Sequence, residues 1–227
     1  MNTRGKIAVF ISCALLSVAG QAGPITWSGS ALSGGGPAAV NTAGTLIEAH
    51  NAGTGVEALL VGGVAFDTLE PLPLTYGFVG ANPLSITGDT NFDKLLNTAS
   101  YSNNFAVETY AIDGLVTGRK YLIQFFAADS RGCCGLRTVK ADDKVGNTLT
   151  STALNAGYVF TGQFTASGAT REVSFSAGGA APTGSNPVAY INAWQLRDVS
   201  APVPVPATLA LVCLGLFGLG RSKRKKA

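Results

Sequence analysis

The chain has 227 residues, 46% of them hydrophobic and 13% charged, with 29 glycines; this supports a buried core and excludes wholesale disorder. The net charge of +3 is unevenly placed: two basic residues lie before residue 10 and five after residue 220, while the middle sets nine against all 13 acids, a balance of −4. The positive sign therefore belongs to the ends, and no nucleic-acid partner is expected for the folded part.

In chain order, Arg4 and Lys6 form a positive start, Ile7 to Ala19 is an uncharged apolar run, and Gly20-Gln21-Ala22 places small residues where a signal peptidase cuts. Residues 1–22 read as a secretory signal-peptide helix cleaved after Ala22, since the run is too short for a transmembrane span of ~20 residues. Residues 23–201 read as one all-β domain, a single jelly-roll-like β-sandwich. Its strand signals begin at Ile25-Thr26-Trp27, Thr45 to Asn51, and the run from Val56 to Phe66. Phe92 to Asn97 reads as a short helix capped by Asp89 or Thr90. Ala106 to Ala111 and the aromatic run Lys120 to Ala127 read as strands joined by Asp113 to Gly118, which has turn chemistry at both ends. Tyr158 to Thr165 follows, then Arg171 to Ser176 with Val173 and Phe175 on one face. Val188 to Val199 reads as one long closing strand with Trp194 and Leu196 inward.

Four cysteines are present, and once the ends are set aside only the adjacent pair Cys133 and Cys134 remains. Export places them in an oxidising compartment. Neighbouring Cα atoms sit ~3.8 Å apart, below the ~4.4–6.8 Å of an ordinary disulfide. A vicinal bridge, two packed free thiols, or pairing with another chain or a metal all fit the sequence. His50 is the single histidine, which excludes a histidine-based zinc site. There is no Gly-x-Ser-x-Gly elbow for a catalytic triad, so His50 reads as a surface or structural residue. A glycosidase needs two acids ~5–10 Å apart, and Glu108, Asp129, Asp142 and Asp143 are the candidates.

Asp89-Thr90-Asn91-Phe92-Asp93 carries the first positions of a calcium loop, but Lys94 stands where glycine is needed. It reads as a helix cap, with calcium as the alternative. Asp142-Asp143 with Asn147 reads as a turn, again with calcium as the alternative. No other cofactor, no metal ligand set and no catalytic residue is expected, so the domain reads as a non-enzyme. Among Tyr76, Tyr101, Tyr110, Trp27 and Trp194, Tyr101 in Ser100-Tyr101-Ser102-Asn103-Asn104 is the best loop aromatic for stacking on a sugar. Asp129 and Arg131, beside the cysteines, complete the ligand-binding candidates.

The tail has three parts: Ala201 to Pro206, a stiff proline-rich joint; Ala207 to Gly220, uncharged and rich in Leu and Gly; and a basic cluster holding Arg221, Lys223 and Arg224. Val203-Pro204-Val205-Pro206-Ala207-Thr208-Leu209 with the Leu/Gly run and this cluster resembles a PEP-CTERM sorting signal over 202–227. Pro204 and Pro206 stand at its motif, and Val205 stands where the family usually has Glu. The resemblance implies an exosortase-type processing enzyme as partner, a C-terminal hydrophobic helix tethered in the inner membrane during sorting, and a destination in the envelope or exopolysaccharide matrix of a Gram-negative bacterium. A plain membrane tail is the alternative. Ile112 to Tyr121 continuing through Asp129, with Ile191 to Leu196 as a closing strand, resembles malectin-like and related carbohydrate-binding jelly rolls. That resemblance implies a polysaccharide partner and a non-catalytic binding module. The alternatives are a structural or adhesive matrix protein without a specific ligand and, behind it, a glycan hydrolase.

Overall fold

The structure, a computed structural model, describes residues 23–53, 57–68, 76–79, 85–102, 106–129, 131, 134, 136–179 and 187–201, with 76–79 as backbone alone. The expected signal-peptide helix with Ala22, and the tail with Pro204, Pro206, Arg221, Lys223 and Arg224, lie outside the described residues. No helix among the described residues is long and apolar enough to cross a membrane.

The strands are antiparallel. A five-stranded sheet is built from β1 (Thr26–Ala31), β2 (Thr45–Asn51), β8 (Lys120–Ala127), β11 (Tyr158–Thr165) and β14 (Ala193–Asp198), in the order β1-β11-β8-β14-β2. Facing it is a four-stranded sheet, β10-β9-β12-β7, made of β7 (Glu108–Ile112), β9 (Val139–Asp142), β10 (Thr148–Thr150) and β12 (Arg171–Ala177). Side chains alternate across a strand, so one set from each sheet meets between them. Tyr121, Ile123, Phe125, Phe160, Trp194 and Leu196 pack there against Val139, Ala141, Val173 and Phe175. Phe125 meets Phe175 edge-on at 4.6 Å between ring centroids, and Tyr110 meets Trp194 at 4.8 Å. The inward placing of Trp194 and Leu196, and of Val173 with Phe175, is as the alternation predicts.

The other face of the five-stranded sheet is covered too, which is why seven of the eight residues of β8 are buried. Phe126, Ala128, Val159 and Ala193 pack there against Phe66, Phe92, Leu95 and Leu96. The cover consists of α1 (Thr90–Leu96) and a hairpin of β3 (Leu59–Val61) and β4 (Val64–Phe66). The run ending at Phe66 is thus not one strand but a hairpin. Gly62, with φ of 56°, takes the left-handed turn, and a Cβ there would lie 2.6 Å from the Pro37 carbonyl oxygen. Asp89 caps α1, accepting from the Phe92 amide at 2.8 Å, and Asp93 accepts from both the amide and the hydroxyl of Thr87. The capping reading of this segment is therefore what is seen.

The long closing strand is also corrected. It divides at Asn192 into β13 (Tyr190–Ile191) and β14, which join different sheets. β13 pairs with β6 (Thr98–Tyr101), which pairs with β5 (Tyr76–Val79). Asn192 is fully buried and binds three backbone groups: its carbonyl accepts from the Ala128 amide, and its NH2 donates to the carbonyls of Leu96 and Thr98, each at 2.6 Å. These bonds fasten the small sheet to the end of β8. A second buried polar system, Gln124, Gln195 and Arg197, holds the carbonyls of Ala39 and of Asn41 through Gly44 over the same face.

At the opposite end, Arg171 donates to the carbonyl oxygens of Gly23 and Asp143. Asp143 accepts from the amides of Ile25, Val145 and Asn147. Burial opposes ionisation of Asp143, but these amides and Arg171 together hold its carboxyl below the usual range. The Asp142-Asp143 segment is the expected turn, and its acids are occupied by backbone donors.

Candidate functional site

β8 ends at Ala127, and the chain bends away from the sheet at Asp129, whose amide donates to the Leu154 carbonyl oxygen at 3.0 Å. The bend buries the Asp129 carboxylate completely. A buried carboxylate needs charged or hydrogen-bonding partners, because isolated burial of an ion is costly. Here the partners are two guanidinium groups. Arg131 grips the carboxylate side-on, Nε to Oδ1 and one terminal nitrogen to Oδ2, both at 2.8 Å. Arg137 reaches Oδ2 with a terminal nitrogen at 3.3 Å.

The loop between the arginines is shaped by Cys134. Its amide donates to the Arg131 carbonyl oxygen at 2.9 Å, and its own carbonyl accepts from the Arg137 amide at 3.0 Å. Two successive turns thus set the arginines on either side of one carboxylate. Cys134 is buried and disulfide-bonded, while Cys133 lies outside the described residues.

The arginines differ in exposure. The Arg131 side chain is 37% exposed and Arg137 only 9%. Hydrogen bonding to Asp129 raises the Arg131 pKa against the opposing effect of burial, whereas burial lowers that of Arg137. The Arg131 guanidinium also lies 5.9 Å from the centre of the Tyr190 ring, within range of a cation–π contact. Tyr190 is buried, and that burial, with Asp129 nearby, pushes its hydroxyl pKa well up.

Tyr101 belongs to the same surroundings. Its Cα is opposite that of Tyr190 on one side and that of Tyr76 on the other, so three tyrosines share one row across the small sheet. Tyr101 is half-buried and packs against the main core. Its register with Tyr190, whose ring centre lies 5.9 Å from the Arg131 guanidinium, places it beside the cluster. The three ligand-binding candidates read from the sequence, Tyr101, Asp129 and Arg131, thus gather at one end of the sandwich. Arg137 and Tyr190 were not anticipated. The usable signal for Arg137 was a count: between residues 120 and 140 there is one acid and more than one arginine. Tyr190 becomes visible only through its register with Tyr101.

The remaining candidates have other duties. Trp194 is core, and Trp27 and Tyr110 pack against it partly buried. His50 is buried rather than exposed, between Asp67 at Nδ1 and Glu48 at Nε2, with its ring 4.9 Å from that of Trp194. Glu48 sits two residues away on the same strand, a spacing legible in sequence, whereas Asp67 arrives through the hairpin that runs beside β2. No group of three or more His, Cys, Asp or Glu that could hold a metal exists among the described residues. A separate groove of about 350 Å³, on the outer face of the four-stranded sheet, is lined by Val107, Lys140, Asp142, Lys144, Ser174 and Ser176 and includes none of the three predicted residues.

Residues 202–225 match the PEP-CTERM protein-sorting motif, so the chain carries the sorting signal of an exported, exosortase-processed protein. The fold is similar to that of the ANXUR1 extracellular domain from Arabidopsis thaliana, at 9% identity and a TM-score of 0.51 over 73% of this chain and 57% of that one. It is likewise similar to the ANX2 ectodomain from Arabidopsis thaliana, at 10% identity and a TM-score of 0.50 over 71% of this chain and 54% of that one. The chain spans roughly half the length of these ectodomains. The likeness to malectin-like jelly rolls therefore holds at the level of fold. Among curated proteins, none matches the sequence.

Proposed function

We propose that this is a non-catalytic, carbohydrate-binding protein of the cell envelope or extracellular polysaccharide matrix, delivered there by its sorting signal. The observation that carries the reading is the Asp129–Arg131–Arg137 cluster beside the Tyr101–Tyr190 row. Polar groups fixed by a buried carboxylate, next to aromatic side chains, are what a sugar site requires. Two of the candidate acids are engaged: Asp129 is tied to two arginines, and Asp143 to Arg171 and three amides. That arrangement favours binding over glycoside hydrolysis, which needs one carboxyl to give up a proton and the other to act as base or nucleophile.

The test is a polysaccharide pull-down with the full chain in mild detergent. Tyr101→Ala should weaken retention about tenfold, the effect of losing one stacking face, and Lys140→Ala in the outer groove should leave it unchanged. Retention that depends on Lys140 and not on Tyr101 would move the site to the groove. Absence of retention on any polysaccharide would leave a structural matrix role. Release of reducing sugar that disappears in Asp129→Asn would make the protein a hydrolase.

A further inference from the structure

An edge strand presents backbone N–H and C=O groups that another strand can pair with. β1 is an outer strand of the five-stranded sheet and pairs with β11 alone. The flanking residues fix which of its groups point outward. The Leu32 amide donates to the Gly157 carbonyl oxygen, on the β11 side. Direction alternates along an antiparallel ladder, so Thr26, Ser28 and Ser30 bond toward β11 while Trp27, Gly29 and Ala31 point away. Ile25 belongs to the same outward set: its amide donates to Asp143 Oδ2 at 2.8 Å and its carbonyl accepts from Asn147. Beyond that cover the edge is open. Ser28 to Ala31 are exposed, and among the described residues the outward amides and carbonyls of Trp27, Gly29 and Ala31 meet no partner. The other edges of the two main sheets are blunted. β2 is closed by Asp67, whose amide and carbonyl bond Ala49 and Asn51, and its register with β14 slips at Leu196. β10 has only three residues, and β7 carries Glu108. Bulges, short length and charge are the devices that keep strand edges from pairing. Trp27 to Ala31 has none of them: no charge, no proline and no break in register.

We propose that β1 is a self-pairing edge, through which two copies of this chain join antiparallel about a twofold axis at Gly29, making one continuous sheet from the two five-stranded sheets. The outward set is self-complementary. Trp27 faces Ala31 of the second copy, Gly29 faces Gly29, and Ala31 faces Trp27, each facing pair exchanging both of its N–H to C=O bonds. A large side chain meets a small one at either end of this pairing, and at its centre there is none, since a Cβ on Gly29 would lie 2.5 Å from the Tyr158 hydroxyl oxygen. On the other side of the strand Ser28 stands opposite Ser30 of the second copy, both small and uncharged. A foreign strand requires only extended backbone; what singles out a second copy is this symmetry of the outward set about Gly29. Charge points the same way. The chain between its basic ends carries a balance of −4, so two copies meet with least repulsion along an edge where no charge faces another. The pairing uses backbone alone and is independent of the carbohydrate reading.

Sedimentation of the full chain in mild detergent, followed over concentration, reads the self-association. The unaltered chain is expected as a dimer that dissociates on dilution. Ser28→Lys with Ser30→Lys sets like charges opposite each other at two crossings and should raise the dissociation constant about tenfold or more. Ser28→Lys with Ser30→Glu sets opposite charges at the same crossings and should return it to within about threefold of the unaltered value. Both serines are exposed, and melting curves record that each variant is folded. Hydrogen exchange of the unaltered chain needs no substitution: the amides of Trp27, Gly29 and Ala31 should exchange more slowly at high concentration than at low. A chain that stays monomeric, or exchange at these amides that is indifferent to concentration, overturns the self-pairing. A dimer that survives Ser28→Lys with Ser30→Lys unchanged assigns association to the hydrophobic tail or another surface and overturns it as well. Dissociation in both double variants alike overturns the twofold register.

Discussion

Replacing Asp129 with Asn keeps the shape of the side chain and removes the one negative charge in the cluster. The two partners respond differently. The Arg131 side chain is 37% exposed and can turn to water, so its lost pair costs at most ~1 kcal/mol. The Arg137 side chain is 9% exposed and has no such route. Stripping a buried charge of its partner costs ~3–5 kcal/mol. At ~2–4 °C per kcal/mol for a domain of this size, the melting temperature should fall by roughly 6–20 °C. Calorimetry or near-ultraviolet circular dichroism of the full chain measures it. Adding Arg137→Met to Asp129→Asn removes the stranded charge and should recover much of the loss. A fall of less than about 2 °C, or a double variant no more stable than Asp129→Asn, would refute the idea that Asp129 compensates a buried arginine.

Three further outcomes are expected. Both ring nitrogens of His50 face carboxylates, which the imidazolium satisfies as a double donor; burial opposes the charge, but Glu48 and Asp67 raise its pKa above 6.5. Its stabilising contribution is therefore complete below about pH 6.5 and is lost as pH rises through the raised folded value. Melting temperature against pH, compared with Asp67→Asn, reads this, with the fluorescence of nearby Trp194 as a second signal; a constant difference between the two proteins across that range would dismiss it. Asn192→Ala strands the Ala128 amide and the carbonyls of Leu96 and Thr98, and should cost about 3 kcal/mol or more in urea unfolding; a cost under ~1 kcal/mol would show that the junction is held by packing instead. We infer that Cys134 is bridged to Cys133, so the tryptic peptide 132–137 should be lighter by two hydrogens and refuse alkylation until reduced; double alkylation of the unreduced peptide would exclude the bridge.

The strands and their facing were legible where the pattern is local. Lys120 to Ala127 is aromatic and β-branched along its length, and the structure buries both of its faces, the circumstance that makes a strand read as a continuous apolar run. Asp89 as a cap and Asp142-Asp143 as a turn were likewise readable, since each bonds to backbone within a few residues. The sequence by itself also determined the sorting signal, which depends on composition and order along the chain and on no tertiary contact. Two elements escaped it. The hairpin ending at Phe66 and the break at Asn192 depend on which distant strand each segment meets, and apolar content is the same for either pairing. The site divides in the same way. Tyr101, Asp129 and Arg131 could be named as residue types in loops, but their meeting required β6, β13 and the end of β8 to converge. Only that convergence sets two guanidiniums against one buried carboxylate, and it is the low dielectric of the buried site that makes the Asp129–Arg137 pair costly to break.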